Sequence, residues 1–126
     1  MERSGKVSLW LGVFENRDDF FDYINVLYDE DGNSILSKFQ TDYEIRKYDP
    51  DKMESDWIEV RCNSINELLE GFSYDDIIIP QFSEVINSKD IQKYNSIILI
   101  YDFEYKKMGS QGKEIEYIGC AELKNT

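Results

Sequence analysis

Histidine is missing from this 126-residue chain, and cysteines, basic residues and long apolar runs are few. Without histidine, the chain lacks the side chain most often used for proton transfer near neutral pH. The common nucleophilic triads are excluded as well, because no imidazole is present to activate a serine or a cysteine. These absences favour a binding protein over an enzyme.

Cysteine and apolar runs are too sparse for a disulfide scaffold or a membrane span. Cys62 and Cys120 have no metal-ligand spacing, and we expect them to be reduced thiols rather than a bridge. No apolar run approaches the ~20 residues of a membrane span, and Met1–Lys6 contains no apolar signal-peptide core. We therefore expect a cytoplasmic protein, with residues 1–126 forming one domain around an ordinary hydrophobic core.

Negative charge is concentrated in one part of the chain. Between Glu15 and Asp76 there are 18 acidic and 6 basic residues, whereas the remainder has 8 of each, so this segment carries the whole net charge of −12. Such a charge repels nucleic acids and anionic membranes and attracts basic protein surfaces. The chain also lacks a basic stripe and a glycine-rich phosphate loop. A basic protein is thus the expected partner, with neither nucleic acid nor membrane bound.

Apolar patterning predicts an α+β fold with the element order β-α-α-β-α-α-β-β. We expect a small, mainly antiparallel or mixed sheet of about four strands with helices packed on it. Val7–Phe14 and Ser96–Phe103 are almost continuously apolar, which is typical of strands covered on both faces. Trp57–Cys62 and Glu114–Cys120 predict two further strands. The last two strands are expected to form a hairpin around Gly109–Gly112.

Two helices are predicted in the first third of the chain. Asn16 is a candidate N-cap, and the helix after it has a buried stripe that extends from Phe20 to Tyr28. Asp29–Asn33 is then a polar turn, because glycine and asparagine tolerate positive φ and none of its residues is apolar. A second, shorter amphipathic segment is expected from Ser34 to Phe39.

Two more helices are predicted after a polar loop at Tyr43–Asp56. Ser64 and Glu67 have capping-box spacing and open a short helix that ends near Gly71. Another helix is expected to begin at Pro80, because proline is favoured at the first helical position.

Two chemical interpretations of the acidic residues have little support. A calcium loop that started at Asp29 would need glycine at position 6 and glutamate at position 12, but Gly32 falls at position 4 and Lys38–Thr41 offers no carboxylate near position 12. Two carboxylates can support glycoside hydrolysis, but with 26 acidic residues in the chain a close pair has no specificity. We therefore predict no catalytic residue, no metal ion and no cofactor.

Short blocks spread over nearly the whole chain carry a family resemblance. The blocks are Val7–Gly12, the region of Tyr23, Tyr28–Gly32, Ile35–Phe39, Tyr48–Asp49, Leu68–Tyr74 and Ile98–Tyr105. In this order they resemble the immunity protein 22 family (domain of unknown function 4284) of bacterial polymorphic toxin systems. The resemblance implies an α+β fold, no catalysis, and neutralisation of a cognate toxin made by the same cell. Many toxins of these systems are nucleases with basic surfaces that bind phosphate.

The composition and the resemblance together predict an immunity protein. We expect it to occlude a toxin domain, expected to be a nuclease, with an acidic face that mimics phosphate and steers association. The predicted contact residues are Asp18, Asp19, Asp22, Asp29, Glu30, Asp31, Tyr48, Asp49, Asp51, Asp56 and Trp57. Tyr48 and Trp57 fit a binding hot spot and a packed edge strand equally well. The alternative is an acidic adaptor or regulatory interaction module without a toxin partner.

Overall fold

The computed structural model describes residues 2–106 and 114–123, which form six strands and five α-helices. The elements in chain order are β1 (Glu2–Gly12), α1 (Arg17–Ile24), β2 (Leu27–Tyr28), β3 (Ser34–Ile35), α2 (Lys38–Tyr43), β4 (Met53–Trp57), α3 (Ile65–Leu69), α4 (Asp75–Phe82), α5 (Ser88–Ile91), β5 (Ser96–Phe103) and β6 (Ile115–Glu122). A 3-10 turn at Pro50–Lys52 precedes β4. The predicted α+β fold is confirmed.

The main sheet is antiparallel and has the strand order β4-β5-β1-β6. β1 lies between β5 and β6, so that Leu9 faces Leu99 on one side and Gly119 on the other. The predicted hairpin between the last two strands is therefore wrong, because both pair with β1 and not with each other. Alternation along a strand specifies its two faces but not its neighbours. The turn predicted at Gly109–Gly112 lies outside the described residues.

Helices cover both faces of the main sheet. The side chains packed between the sheet and the helices form a separate hydrophobic core on each face. Leu9 and Leu11 pack with residues of α3, α4 and α5 on one face. Trp10 packs with residues of α1 and α2 on the other face, in a cluster that we call the α1–α2 core. Both faces of β1 and β5 are thus buried, as the nearly continuous apolar runs predicted.

Two helix starts agree with the sequence signals. The side chain of Asn16 accepts a hydrogen bond from the backbone N–H of Asp19 and caps α1. The hydroxyl of Ser64 accepts one from the N–H of Glu67 and caps α3. In both cases a short polar side chain satisfies a backbone donor that has no partner inside the helix.

The segment between α1 and α2 differs from the prediction. Helix α1 ends at Ile24, and the chain then forms the small hairpin of β2 and β3 around the turn predicted at Asp29–Asn33. The helix expected from Ser34 begins only at Lys38, where Ser37 and Gln40 form a capping box. Because the capping box makes Ser37 the N-cap of α2, Ser34 and Ile35 stay outside the helix and pair with β2.

The predicted strand Trp57–Cys62 is wrong except at its first residue. The strand is β4, and its last pair joins Trp57 to Ser96, the first residue of β5. Because β5 begins there, no ladder partner exists for the residues after Trp57. Ile58 instead donates its N–H to the backbone oxygen of Asn95.

The helix expected to begin at Pro80 in fact begins at Asp75, and Pro80 lies inside α4. The residue before the helix, Tyr74, has φ 60° and provides no side-chain cap, so the usual start signal is missing. Burial of Ile78 and Phe82 holds α4 against the sheet. Pro80 lies beyond the first turn and has no N–H to donate to the carbonyl of Asp76, so α4 forms despite the loss of one helical hydrogen bond.

Candidate protein-interaction surface

The three acidic residues predicted on the first helix, Asp18, Asp19 and Asp22, are exposed on α1. Asp18 and Asp19 lie in its first turn, where the helix dipole favours negative charge. Asp19 and Asp22 also line an open groove of about 370 Å³, which we call the α1 groove. Its other lining residues are Val13, Phe14, Glu15, Tyr23, Lys38 and Glu114. The groove thus combines an apolar lining with four carboxylates.

Lys38, the single lysine in the lining of the α1 groove, is paired within the protein. Its Nζ lies 3.1 Å from Oδ2 of Asp42, which also accepts a 2.9 Å hydrogen bond from the hydroxyl of Tyr23. Burial and this hydrogen bond raise the pKa of Tyr23 well above its ordinary value, so that the hydroxyl stays a donor at all physiological pH values. Asp42 thus compensates Lys38 and leaves the groove acidic.

The turn at Asp29–Asn33 is held by its own hydrogen bonds. Oδ1 of Asp29 accepts from the N–H groups of Asp31 and Asn33, each at 2.9 Å, and Gly32 has φ 83°. Positive φ at this position favours glycine. The carboxylates of Asp29, Glu30 and Asp31 are exposed at the tip of the hairpin.

Tyr48, Asp49 and Asp51 lie beside a second and larger groove of about 770 Å³, of which Tyr48 and Asp49 line a part. Asp49 accepts the N–H of Asp51 and thereby starts the 3-10 turn. This groove also contains Lys52, which forms a 3.2 Å ion pair with Asp102. The backbone N–H of Gly5 and the charge of Lys52 lower the pKa of Asp102. Because lysines and carboxylates both line this groove, its charge is more balanced than that of the α1 groove.

Asp56 and Trp57 lie at the end of β4, next to the start of α1. The indole Nε1 of Trp57 donates a 3.1 Å hydrogen bond to the backbone oxygen of Phe14, and the Arg17 guanidinium lies 5.7 Å from the centre of the indole ring. Oδ1 of Asp56 accepts the N–H of Trp57. The half-buried Trp57 therefore joins β4 to the segment after β1, which brings Asp56 close to the acidic helix.

Several of the predicted contact residues lie at the α1–α2 core, because Asp18, Asp19 and Asp22 are on one of its helices. Tyr48 and Trp57 pack against the same cluster as α1 and α2, and the hairpin connects those two helices. The predicted residues fall into three groups: α1 with Asp56 and Trp57, the hairpin tip, and the edge of the larger groove. Residues of one group can lie far apart in the sequence, since 39 positions separate Asp18 from Trp57.

Sequence reasoning missed two parts of this surface. Glu15 and Glu114 line the α1 groove, and no local pattern connects them, because they come together only through the pairing of β1 with β6. The apolar residues of the hairpin were assigned to buried helical stripes. The pairs Leu27–Tyr28 and Ile35–Leu36 on either side of a glycine-containing turn are a hairpin signal that could have found them.

Glu54 connects the edge strand β4 to the opposite helical layer. Its carboxylate accepts hydrogen bonds from the backbone N–H and hydroxyl of Ser73, at 2.9 and 2.6 Å, and from the hydroxyl of Tyr101 at 2.9 Å. Partial burial raises the pKa of Glu54, but these three donors together outweigh it and leave the pKa below its ordinary value.

We expect Glu54→Gln to lower the free energy of unfolding by about 1 kcal/mol at pH 7. Since the folded-state pKa of Glu54 is lowered, its contribution is present above the unfolded-state pKa, near 4.3, and is lost as the pH falls through the lower folded-state pKa. Denaturant unfolding at pH 7 and at pH 3 measures this difference, which should shrink at pH 3. The exposed Glu59→Gln is the control, with an expected change within about 0.5 kcal/mol at both pH values. An equal loss for Glu54→Gln at both pH values would contradict the assignment.

The fold and this surface define a small α+β protein with an acidic exterior. A family model described as immunity protein 22 (DUF4284) matches residues 7–123 of the 126-residue chain. The chain therefore belongs to the immunity protein 22 family, as the order of its sequence blocks predicted. Searches of curated proteins and of solved structures found no match.

Family membership supports an immunity role for this chain and implies a toxin partner and an inhibitory activity. Within residues 2–106 and 114–123, no three histidine, cysteine, aspartate or glutamate side chains are arranged to hold a metal ion. No helix in this part of the chain is long and apolar enough to span a membrane.

Proposed function

We propose that residues 1–126 act as a single domain that neutralises a cognate bacterial nuclease by occluding its basic substrate groove. One observation carries the proposal: among the described residues, none of the nine predicted contact carboxylates forms a salt bridge. Eight of them are exposed, and only Asp56 is half-buried. These charges are therefore available to the cations of a partner.

The physics of such an inhibitor follows from the chemistry of its target. A nuclease places lysines and arginines where phosphates bind, and carboxylates on a rigid surface can occupy the same positions. The local charge steers the two proteins together and raises the association rate at low ionic strength. The same charge repels nucleic acid, so the inhibitor does not compete with the toxin for its substrate.

The test is a pull-down from the native host, with this protein as bait at low and at moderate salt. Recovery of the C-terminal domain of a large toxin, weakened by salt, supports the proposal. The recovered domain should then lose its nuclease activity at a one-to-one ratio with the immunity protein. Recovery of a housekeeping complex alone would contradict the proposal and favour the acidic adaptor.

Charge reversal at the hairpin tip is expected to slow toxin association. The variant is Asp29→Asn, Glu30→Lys and Asp31→Lys, because asparagine keeps the acceptor that holds the turn. We expect the association rate constant to fall about 10-fold at low salt, with a flatter salt dependence. Stopped-flow or surface-binding kinetics over a salt series measures both quantities.

The matched control carries the same change in net charge on the opposite side of the sheet. Its substitutions are Glu59→Gln, Glu70→Lys and Glu84→Lys, at exposed positions beside α3 and α4. This variant should associate faster than the hairpin variant at every salt concentration. If the two variants associate equally slowly, only the total charge matters and the acidic face is not the contact surface.

A further inference from the structure

The hairpin of residues 27–36 carries a concentrated apolar surface as well as its acidic tip. Leu27, Tyr28, Ile35 and Leu36 are 56%, 69%, 46% and 44% exposed. They are four of the eight large hydrophobic side chains that are exposed in the described part of the chain, and they lie within ten consecutive residues. Leu27 pairs with Ile35 on one face of the hairpin, and the next residue, Tyr28, points to the other, so both faces expose apolar side chains. Apolar residues that are exposed singly need no explanation, but their concentration on one short hairpin favours an interaction site.

The hairpin stands apart from the main sheet. β2 and β3 pair only with each other and form a separate two-stranded sheet. An isolated two-stranded hairpin is marginally stable in water. The turn compensates for this, because Asp29 bonds to Asn33 and Gly32 through its backbone and to Asp31 and Asn33 through its side chain. The tip is therefore organised in advance of binding.

The charge of the tip decides which kind of surface covers the apolar residues. A second copy of this chain would bring three more carboxylates and a net charge of −12 against the same tip. An anionic lipid surface is repelled in the same way. A surface that combines an apolar cleft with lysines or arginines at its border complements both features at once.

We propose that this hairpin anchors the protein in an apolar cleft bordered by the cationic residues of the toxin, an inference that rests on the proposed function. The apolar side chains fill the cleft and control how long the complex lasts. The carboxylates of Asp29, Glu30 and Asp31 pair with the border and control how fast it forms.

Binding kinetics with the toxin domain identified in the pull-down separate the contribution of the apolar side chains from that of the carboxylates. The apolar side chains should affect the dissociation rate constant, and the carboxylates the association rate constant. Leu27→Ala with Tyr28→Ala should weaken affinity by about 30- to 100-fold, through faster dissociation and with the association rate constant within about 3-fold of the original. The control Val60→Ala with Val85→Ala removes side chains that are 80% and 61% exposed elsewhere and should leave both rate constants unchanged. Unfolding curves verify that each variant folds.

Each alternative has its own outcome. Tight binding that the Leu27 and Tyr28 substitutions do not change would overturn the hairpin inference and leave the proposed function intact. Absence of binding by the unsubstituted protein would overturn the proposed function and this inference with it. Sedimentation that shows a dimer, lost in the Leu27 and Tyr28 variant, would assign the hairpin to a second copy and overturn the inference as well.

Discussion

Replacement of Trp10 by alanine is expected to lower the free energy of unfolding by about 3–5 kcal/mol. Trp10 is completely buried near the end of β1, in the α1–α2 core. Five aromatic rings surround it with centroid distances of 5.0 to 6.5 Å: Phe39, Tyr43, Phe103, Tyr105 and Tyr117. Its Nε1 has no hydrogen-bond partner among the described residues, so the loss comes from packing and cavity formation rather than from a polar contact.

Thermal or denaturant unfolding measures this loss, which corresponds to a fall in Tm of about 10–20 °C. The matched control is Tyr28→Ala, which removes an aromatic ring that is 69% exposed and should change stability by less than about 0.5 kcal/mol. The two variants should also differ in function, because Tyr28 belongs to the proposed anchor whereas Trp10 is inaccessible. A stable Trp10→Ala protein would contradict the tight packing of this core.

Gly12→Ala is the second substitution with a large expected effect, a loss of about 2–3 kcal/mol from overpacking. A Cβ at this position would lie 2.5 Å from the backbone oxygen of Glu114 and 2.8 Å from Cγ1 of Ile115. Because the oxygen belongs to the backbone immediately before β6, the start of β6 would have to move away from β1. Such a movement would also displace Glu114 from the α1 groove.

Gly119→Ala is the control for Gly12→Ala, because it adds the same methyl group to the neighbouring strand. A Cβ at Gly119 would meet only Cγ2 of Val85, at 3.8 Å, which is an ordinary contact. We expect this variant to be neutral or slightly more stable, since alanine restricts the unfolded chain more than glycine does. Unfolding free energies of the two variants measured side by side provide the comparison. Equal losses would mean that strand flexibility, and not the close approach at Gly12, explains the effect.

Trp10→Ala and Gly12→Ala would also affect function, because the core that they disturb holds the acidic residues of α1 and the α1 groove in place. Helices α1 and α2 pack on the face of the sheet that Trp10 occupies, and Trp57 is hydrogen-bonded to the segment after β1. The acidic residues of α1 therefore keep their positions only while this core is intact. Loss of toxin binding in Trp10→Ala would report on stability, and for that reason the binding tests use exposed residues.

The parts of the fold that were predictable from the sequence are those governed by local physics. The nearly continuous apolar runs identified the two central strands because both of their faces are buried. Asn16 and Ser64 marked helix starts, since a cap acts on a backbone donor only three residues away. These signals need no knowledge of the rest of the chain.

The errors arose where a distant partner decides the outcome. Trp57 ends β4 because β5 begins opposite it, and β5 and β6 are separated because β1 lies between them. Leu27 and Tyr28 follow a helical pattern in the sequence, yet they pair with β3 and stay exposed. Apolar periodicity assumes that an apolar residue is buried, and that assumption fails at this exposed hairpin.

By itself, the sequence determined the α+β class, the central strands, the strongly acidic segment and the resemblance to the immunity protein 22 family. Charge, composition and block order are properties of the linear chain and can be read from the sequence alone. Only the tertiary structure decided that β1 separates β5 from β6, that Glu15 and Glu114 share a groove with Asp19 and Asp22, and that the hairpin exposes its apolar residues. These features depend on which distant segments pack together, and the packing free energy that selects them is a property of the whole chain.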